Sequence, residues 1–384
     1  MKAAWIITGF AENESDYNGA PAIHKLAEAL SKHSDIELDI YTLYYPVNIP
    51  EYKYFNARVF SFATKNKNTR IDKYIIWKKV ERKFNQENTV KKYDIIHSLW
   101  SGESGNLALR LSRKHKIPFV TSVCGGELAE LKEINYGSRL KYWQKKFVGN
   151  SFSNARSIIT GSEYINRLIG KYYGTDVLNK TVNIPFGVDD KLFFPSESTV
   201  KYEDQFPVLL NVTSAVPVKN HKMLFKAFTL VKERFPKALL VLCGYDENGI
   251  LKNLSEPLRI SDSVIIKGFV PYKSLPDIIN SADIYVLSSL YESQNLSIVE
   301  AAFCCIPVVS TAVGIAEDIT EHITDTDNPA KFAEKIISVA ENIKREKNLS
   351  LEKLNSLRSK YSIKPVTDKT IELYKTIIAD YDKL

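Results

Sequence analysis

Two glutamates stand eight residues apart in a stretch that otherwise resembles a buried core. Glu292 and Glu300 lie in SLYESQNLSIVEAAFCCIPVVST, which follows the apolar run ADIYVL and contains the run IPVVS. Carboxylates are seldom buried without a partner, and they are good acceptors for hydroxyl groups. The run DIYVLSS predicts a strand, LYESQN a loop at its carboxyl end, and a helix is predicted from about Ser297. Glu292 is therefore expected in the loop and Glu300 in the first helical turn.

The predicted helix start offers both a structural and a functional interpretation. Ser297 and Glu300 match a capping box, in which the glutamate satisfies a backbone N–H. That interpretation explains Glu300 but leaves Glu292 without a role in the fold. Because helix N-termini favour anions, we expect a phosphate there, with Glu292 accepting hydroxyls of an attached sugar and Glu300 binding a ribose diol.

Three further segments are predicted at the same edge of the same sheet. Lys219 lies between a predicted strand and helix in NVTSAVPVKNHKMLFKAF, and it could neutralise a diphosphate leaving group or simply be solvated. Gly244 follows another predicted strand. The segment Gly268-Phe269-Val270 follows a third strand and could present backbone groups to a nucleobase.

The whole chain shows strand-length Val/Ile/Leu runs that alternate with helix-like segments, which is typical of parallel sheets covered on both faces. We predict an α/β fold with two doubly wound domains, 1–190 and 200–365, and a C-terminal helix, 366–384, that packs back on the first domain. The boundary is placed within residues 184–207, where Pro, Gly and acidic residues cluster. Because ligands bind beyond the carboxyl ends of such strands, two facing domains would form a cleft.

Several of these segments resemble one enzyme family. YESQNLSIVEAAFCCIPVVSTAVG resembles the E-x7-E signature of retaining family 4 (group 1) glycosyltransferases, which have the GT-B fold. VPVKNHKMLFKAF is similar to the lysine loop of that family, and NIPFGVDDKLFFP to its interdomain segment. YDIIHSLWSGESGNLALRLSRKHKIPFVTSVCGGEL is similar to its first-domain region. The resemblance covers nearly the whole chain and is most specific from about 207 to 320.

The resemblance implies transfer of a sugar from a nucleotide-diphosphate sugar to a saccharide or lipid-linked acceptor, with retention at the anomeric carbon. Glu292, Lys219 and His97 would be the catalytic residues, with Lys219 on the diphosphate; for His97 a purely structural role is equally open. The residues expected at the donor are Gly19, Ala20, Ser214, Lys219, Gly244, Gly268, Phe269, Val270, Glu292, Ser293, Gln294, Asn295, Leu296 and Glu300. The CGGE loop, Cys124, Gly125, Gly126 and Glu127, is expected on the acceptor side.

The sequence departs from the family pattern at two positions that bear on the chemistry. Ser214 stands where the family usually has an arginine, so one phosphate cation is missing or supplied from elsewhere. Cys124 stands where a histidine is common, which weakens a role for this position in binding the sugar.

Neither a metal nor another cofactor is implied, because a lysine and helix N-termini would bind the diphosphate. The two D-x-D strings, Asp325–Asp327 and Asp380–Asp382, are expected to be solvated. The six histidines show no metal-binding spacing.

The net charge of +7 equals the excess of basic over acidic residues within 65–92, a segment that contains ten Lys/Arg and three Asp/Glu. That stretch and the basic-aromatic segment 139–147 suit an anionic membrane surface, although a solvated helix explains both as well. No nucleic-acid motif accompanies the charge.

The four cysteines lack a disulfide or zinc pattern, and no apolar run would span a bilayer. We expect a cytoplasmic protein, with a peripheral position on the inner face of the membrane as an option.

Other functions remain open at this point. A nucleotide-sugar epimerase or hydrolase, or a non-catalytic sugar-nucleotide-binding protein, would suit the same pattern. A dinucleotide dehydrogenase is disfavoured, because no GxGxxG follows the first predicted strand.

Overall fold

The computed structural model describes residues 1–16, 19–47, 49–64 and 69–383, and of Arg70 the backbone alone. The chain divides into two compact units. Unit 1 consists of Met1–Gly187 and Ile363–Leu384, and unit 2 is Val188–Ser362. Unit 2 is thus an insertion in the sequence of unit 1.

Unit 1 contains an eight-stranded sheet. Its strands are β1 (Lys2–Ile7), β2 (Glu37–Val47), β3 (Glu51–Tyr54), β4 (Ala57–Ala63), β5 (Ile95–Leu99), β6 (Phe119–Ser122), β7 (Ser157–Thr160) and β8 (Thr181–Asn183). The spatial order is β3-β4-β2-β1-β5-β6-β7-β8. Its helices are α1 (Pro21–Ser31), α2 (Arg70–Val90), α3 (Glu103–His115), α4 (Tyr142–Asn154), α5 (Glu163–Tyr173) and α6 (Thr175–Leu178).

One edge of this sheet differs from the all-parallel prediction. β3 pairs with β4 in the antiparallel direction, whereas the other described pairs of the sheet are parallel. The segment EYKY of β3 has only one buried residue, Tyr54, so it lacks the continuous apolar run by which a strand covered on both faces is recognised.

Unit 2 contains a six-stranded parallel sheet. Its strands are β9 (Val208–Val212), β10 (Leu239–Cys243), β11 (Val264–Gly268), β12 (Ile284–Leu287), β13 (Val308–Thr311) and β14 (Ile323–Thr324), in the order β11-β10-β9-β12-β13-β14. Its helices are α7 (His221–Arg234), α8 (Ile250–Ser255), α9 (Leu275–Asn280), α10 (Leu296–Phe303), α11 (Ala316–Ile319), α12 (Pro329–Glu341) and α13 (Ile343–Tyr361).

Both faces of the unit 2 sheet are covered, which explains why its strands are apolar throughout. Leu210 and Tyr285 point into one core with residues of α10. Their neighbours Leu209 and Val286 point into a second core with residues of α7 and α12. This alternation is the doubly wound arrangement that the sequence predicts, and the prediction of two α/β domains is confirmed.

The last helix, α14 (Ile363–Tyr381), belongs to unit 1. Val366 and Ile371 are buried in the same core as the β1 strand. The indole Nε1 of Trp5 donates to the hydroxyl of Tyr374 at 3.0 Å. The first strand and the last helix of the chain are therefore packed together.

The two basic segments differ in how they fold. The first four residues of 65–92, 65–68, lie outside the described residues, and α2 begins after Thr69, which forms a capping box with Asp72. The solvated helix considered for segment 139–147 does not span it, because α4 begins only at Tyr142. A 3-10 turn, Ser138–Leu140, precedes α4, and Arg139 is turned inward, 3.5 Å from the ring centroid of Tyr172. No helix in the described ranges combines the length and apolarity that spanning a bilayer requires.

Candidate active site

The loops after β9 and β12 meet at the carboxyl edge of the unit 2 sheet. The backbone N–H of Leu290 donates to the carbonyl of Val218 at 2.8 Å. The hydroxyl of Ser288 donates to the carbonyl of Lys219, also at 2.8 Å. These bonds hold the lysine loop against the loop that carries Glu292, although the two are far apart in sequence.

Glu292 receives three hydrogen bonds on a single oxygen. Its Oε1 accepts from Lys219 Nζ at 2.6 Å, from Ser289 Oγ at 2.7 Å and from Asn295 Nδ2 at 3.0 Å. Charge-assisted bonds of this kind stabilise a carboxylate that is largely withdrawn from water. The expectation that Glu292 has no role in the fold is therefore wrong, because it joins two loops.

The N-terminus of α10 is not closed by the predicted capping box. The helix begins at Leu296, Asn295 is the N-cap residue with φ of +70°, and no side chain in the described structure caps it. Ser297 lies inside the helix, where its hydroxyl donates to Asn295 Oδ1 at 2.7 Å and accepts from the hydroxyl of Tyr285 at 2.6 Å. The uncapped backbone N–H groups remain an anion site.

Glu300 is buried and bonded to a residue that the sequence does not single out. The hydroxyl of Tyr272 donates to Glu300 Oε1 at 2.9 Å. Burial raises the pKa of the Glu300 carboxyl to about 7. Tyr272 stands two residues after Val270, directly beyond the predicted segment Gly268-Phe269-Val270.

Two glycines allow loops to approach closely at this edge. Gly244 has φ of +143°, and a Cβ there would lie 2.2 Å from the carbonyl oxygen of Thr213. Gly314, which the sequence analysis misses, has φ of +59°, and its Cβ would lie 2.3 Å from the carbonyl oxygen of Gln294. Gly314 thus lets the loop after β13 support the loop that carries Glu292.

An aromatic pair lies at the ends of β10 and β11. The rings of Tyr245 and Phe269 stack with centroids 4.7 Å apart, and both side chains are exposed. Gly268 has φ of +67°, and its carbonyl accepts from the N–H of Gly244 at 2.8 Å. After Tyr272 and Gly314, Tyr245 is a third residue that the sequence does not single out.

The unit 2 residues predicted at the donor are brought together. Those on loops at the carboxyl edge of the sheet, or in the helix that follows, are Ser214, Lys219, Gly244, Gly268, Phe269, Val270, Glu292, Ser293, Gln294, Asn295, Leu296 and Glu300. In unit 1, Gly19, with φ of +83°, and Ala20, the N-cap, directly precede α1.

His97 lies within β5 and is fully buried. Its Nδ1 is 2.5 Å from the hydroxyl of Tyr374, and its Nε2 is 2.7 Å from the hydroxyl of Ser122. Burial lowers the pKa of the imidazole to about 3, so the ring is neutral. Because both ring nitrogens have partners inside unit 1, this geometry is that of the structural histidine, and it gives no support to a catalytic role.

The CGGE loop is organised by its glutamate. The buried carboxylate of Glu127 accepts backbone N–H groups from Ser101 at 3.3 Å, Cys124 at 3.1 Å and Gly125 at 2.7 Å. Burial raises the pKa of Glu127 and of the Cys124 thiol, so the thiol is protonated. Gly126 packs against Tyr136, since a Cβ there would lie 3.0 Å from the tyrosine oxygen. Glu127 therefore determines the shape of the loop.

A metal site is not evident in the part of the chain that the structure describes. No three His, Cys, Asp or Glu residues within it are grouped so that they could hold a metal ion. The carboxylates of both D-x-D strings are exposed.

Comparison with known proteins identifies the class. The description "Glycosyl transferases group 1" matches residues 196–353, and "Glycosyltransferase Family 4" matches residues 21–192. In structure, the chain is similar to a sucrose-phosphate synthase from Thermosynechococcus elongatus, with a TM-score of 0.82, 17% identity and 99% of each chain covered. The two Rossmann-like units are those of GT-B glycosyltransferases.

Relatives in sequence agree with this class. The chain is 34% identical to the mannosylfructose-phosphate synthase of Agrobacterium fabrum over 146 residues, which is 34% of this chain and only 32% of that protein. It is 24% identical to an uncharacterised glycosyltransferase of Methanocaldococcus jannaschii over 93% of this chain and 94% of that protein. The chain belongs to the group 1, family 4 type of glycosyltransferases.

Proposed function

We propose that the protein transfers a hexose from a nucleotide-diphosphate sugar to a saccharide or lipid-linked acceptor, with retention at the anomeric carbon. The Lys219–Glu292 ion pair beside the N-terminus of α10 is the observation that carries the proposal. A cation and free helical N–H groups suit a diphosphate, and a carboxylate next to them suits sugar hydroxyls.

Each part of a donor has a matching group in unit 2. The diphosphate would bind Lys219 and the first N–H groups of α10. The donor sugar would hydrogen-bond to Glu292, and the ribose to Glu300, whose neighbour Tyr272 fixes the carboxyl group. The base would lie near the backbone of Gly268 and the exposed Phe269 ring.

The chemistry we propose uses these groups without a protein nucleophile. The nucleoside diphosphate departs, and the acceptor hydroxyl attacks from the same face of the sugar, which retains the configuration. Lys219 and the α10 N–H groups stabilise the negative charge that develops on the leaving diphosphate, and preorganised donors of this type make large contributions to rate. No metal is needed for that stabilisation.

The acceptor would be presented to unit 1, and an anionic membrane surface could present it. Ile71, Tyr74 and Ile75 of α2 are exposed beside Lys78 and Lys79. Exposed apolar side chains next to lysines are suited to the interface of an anionic bilayer. A peripheral position at the inner face of the membrane in the cytoplasm follows from this proposal.

The proposal is tested first by a thermal-shift screen against nucleoside diphosphates and nucleotide sugars, since a selective donor stabilises the protein by mass action. Donor and acceptor are then incubated, and the product linkage is assigned by NMR. A product with the anomeric configuration of the donor supports retaining transfer, and an inverted product contradicts it. Free sugar or an epimer formed from donor alone would favour a hydrolase or epimerase. Donor binding without turnover across an acceptor panel would favour a non-catalytic binding protein.

A further inference from the structure

Unit 1 holds a cavity of about 680 Å³, and five of the fourteen residues described around it are aromatic. Three of the four tryptophans of the chain, Trp77, Trp100 and Trp143, line it, together with Tyr74 and Phe147. The fourth tryptophan, Trp5, is buried in β1. A volume of this size is typical of small-molecule sites.

The aromatic rings of the cavity come from different elements. The ring centroids of Trp77 of α2 and Phe147 of α4 are 6.2 Å apart. Trp143 of α4 is 55% exposed, although it is one of the largest apolar side chains. Helices α2 and α4 thus form an open aromatic wall that could stack on a flat apolar face of a ligand.

Trp100 adopts a backbone conformation that bulky residues rarely show. It follows β5 with φ of +69°, a left-handed value that is uncommon for a side chain of this size. Gly125 of the CGGE loop makes room for it, because a Cβ at Gly125 would lie 3.0 Å from the indole Nε1. Strained residues of this kind cluster at ligand sites.

Two carboxylates face the cavity, Glu127 and Glu103. Glu103 accepts hydrogen bonds from Trp77 Nε1 at 3.0 Å, from Lys73 Nζ at 2.9 Å and from the hydroxyl of Tyr44. A carboxylate has about four acceptor positions, so Glu103 can take one more donor, such as a hydroxyl group of a ligand.

The two cations at the cavity are already neutralised. Lys73 pairs with Glu103, and Arg110 pairs with Glu81 at 2.6 Å. The described lining therefore carries balanced charge, with both basic groups bound to carboxylates. A lining without net charge suits a neutral molecule rich in hydroxyls better than it suits a phosphate.

We propose that this cavity binds a neutral sugar unit of the acceptor, with its apolar face stacked on Trp77 and Trp143 and a hydroxyl group donated to Glu103. The proposal rests on the proposed glycosyl transfer and defines its acceptor, because it assigns recognition to the saccharide rather than to a lipid phosphate. Aromatic faces with a few placed polar groups are the usual composition of such sites.

Tryptophan fluorescence tests this directly, because three of the four tryptophans line the cavity. The intact protein is titrated with the methyl glycosides of glucose, galactose, mannose and N-acetylglucosamine, and separately with farnesyl diphosphate. We expect a saturable change with at least one glycoside below about 50 mM. Failure of all four glycosides, or saturation by farnesyl diphosphate alone, would overturn the proposal.

Matched variants locate the binding. Trp143→Ala and Glu103→Gln should each weaken glycoside binding about tenfold, measured by saturation-transfer NMR, which does not depend on tryptophan. Tyr142→Ala is the control, because Tyr142 is the neighbouring aromatic residue, is 70% exposed and is not among the cavity-lining residues. Equal binding by all three variants would place the glycoside elsewhere and refute the proposal.

A parallel thermal shift with nucleoside diphosphates separates this inference from the proposed function. If glycosides bind but nucleoside diphosphates do not change the melting temperature, the sugar-binding cavity is supported and the transferase proposal is contradicted. If nucleoside diphosphates raise the melting temperature but no glycoside binds, the transferase proposal is supported and the sugar-binding cavity is contradicted.

Discussion

Lys219 and Glu292 form an ion pair of 2.6 Å across two loops of unit 2, although they are 73 residues apart in the chain. Their side chains are only 21% and 11% exposed, so each neutralises a charge that is costly to bury alone. A diphosphate that binds Lys219 would compete with Glu292 for the ammonium. We infer that donor binding itself frees the carboxylate for the sugar hydroxyls.

Replacing Glu292 with glutamine should lower kcat/KM for transfer about 10²-fold or more, because the charge that orients Lys219 and the sugar is lost. The amide keeps the size of the side chain but leaves the Lys219 ammonium without its counter-charge, so the melting temperature should fall as well, and rates are compared per folded molecule. Initial rates with the donor found by the thermal-shift screen measure the effect. Glu321→Gln, a change on the exposed surface of the same unit, serves as the control; equal rates for both variants would reject the assignment.

Replacing Lys219 with alanine should weaken nucleoside diphosphate binding about 10- to 100-fold, since a bond to a charged group contributes roughly 1.5–3 kcal/mol. The readout is the shift in melting temperature on adding the nucleotide, so that any change in the stability of the apoprotein cancels. Lys226→Ala, an exposed lysine of α7, is the matched control. A shift in Lys219→Ala as large as in the wild type contradicts a diphosphate contact.

The raised pKa of Glu300 predicts a pH dependence of stability. In the unfolded chain this carboxyl titrates near 4.5, and in the folded protein at about 7. Between these values the folded state binds more protons, so the free energy of unfolding should fall as pH rises from about 4.5 to 7, by at most about 3 kcal/mol. Urea unfolding of wild type and Glu300→Gln at pH 5 and 8 measures the difference. The variant should lack this component, and an identical pH dependence in both proteins would disprove it.

The affinity for nucleotide should rise with pH, whereas the free energy of unfolding falls, because both depend on the ionisation of Glu300. An ionised Glu300 accepts ribose hydroxyls better than the protonated acid, so we expect affinity to rise between pH 6 and pH 8 as the group ionises through about pH 7. Calorimetric titration at both pH values checks this. Glu300→Gln should bind more weakly at pH 8 and with a flatter pH profile; the same rise in the variant would assign the titration to another group.

The contacts of His97 predict that its replacement destabilises the fold more than it slows transfer. His97→Ala should reduce the free energy of unfolding by about 2–4 kcal/mol, because it leaves a cavity and removes a partner of the Tyr374 and Ser122 hydroxyls. Transfer per folded molecule should fall less than about tenfold. Tyr374→Phe is the companion variant and should destabilise the protein with little effect on rate. A loss of rate of about 10²-fold or more in His97→Ala with unchanged stability would restore the catalytic role.

The exposed lysines of α2 predict salt-dependent binding to anionic vesicles. Lys78→Glu with Lys79→Glu should reduce flotation with phosphatidylglycerol vesicles at least about tenfold, at about 1 kcal/mol per basic residue near the surface. Lys335→Glu with Lys344→Glu makes the same change of charge on exposed residues of unit 2. If both double variants float like the wild type, α2 does not bind the membrane.

Much of the fold and part of the site follow from the sequence, because they depend on local patterns. Continuous apolar runs show that strands are covered on both faces, and the ends of those runs place Lys219 and Glu292 at one edge. The start of α10 could not be predicted to the residue. It depends on Asn295 adopting a positive φ, whereas the Ser297–Glu300 pattern indicates a different cap.

The remaining contacts depend on residues that sequence does not connect. The hydroxyl that fixes Glu300 comes from Tyr272, 28 residues earlier, and the partner of His97 is Tyr374, 277 residues later. The aromatic cavity of unit 1 combines helices α2 and α4 with the ends of strands, so only the packed structure shows that three tryptophans share it.

The hydrogen bond between Trp5 and Tyr374 joins residues 369 positions apart, so on the ribosome it can form only after α14 has been synthesised. Every residue of unit 2 is translated before α14, whereas unit 1 needs α14 to bury Trp5 and to supply the hydroxyl beside His97. Contacts this distant in sequence carry a larger loop-closure entropy and slow folding. The sheet of unit 2 can therefore form during synthesis before α14 is available to cover Trp5 and complete the core of unit 1.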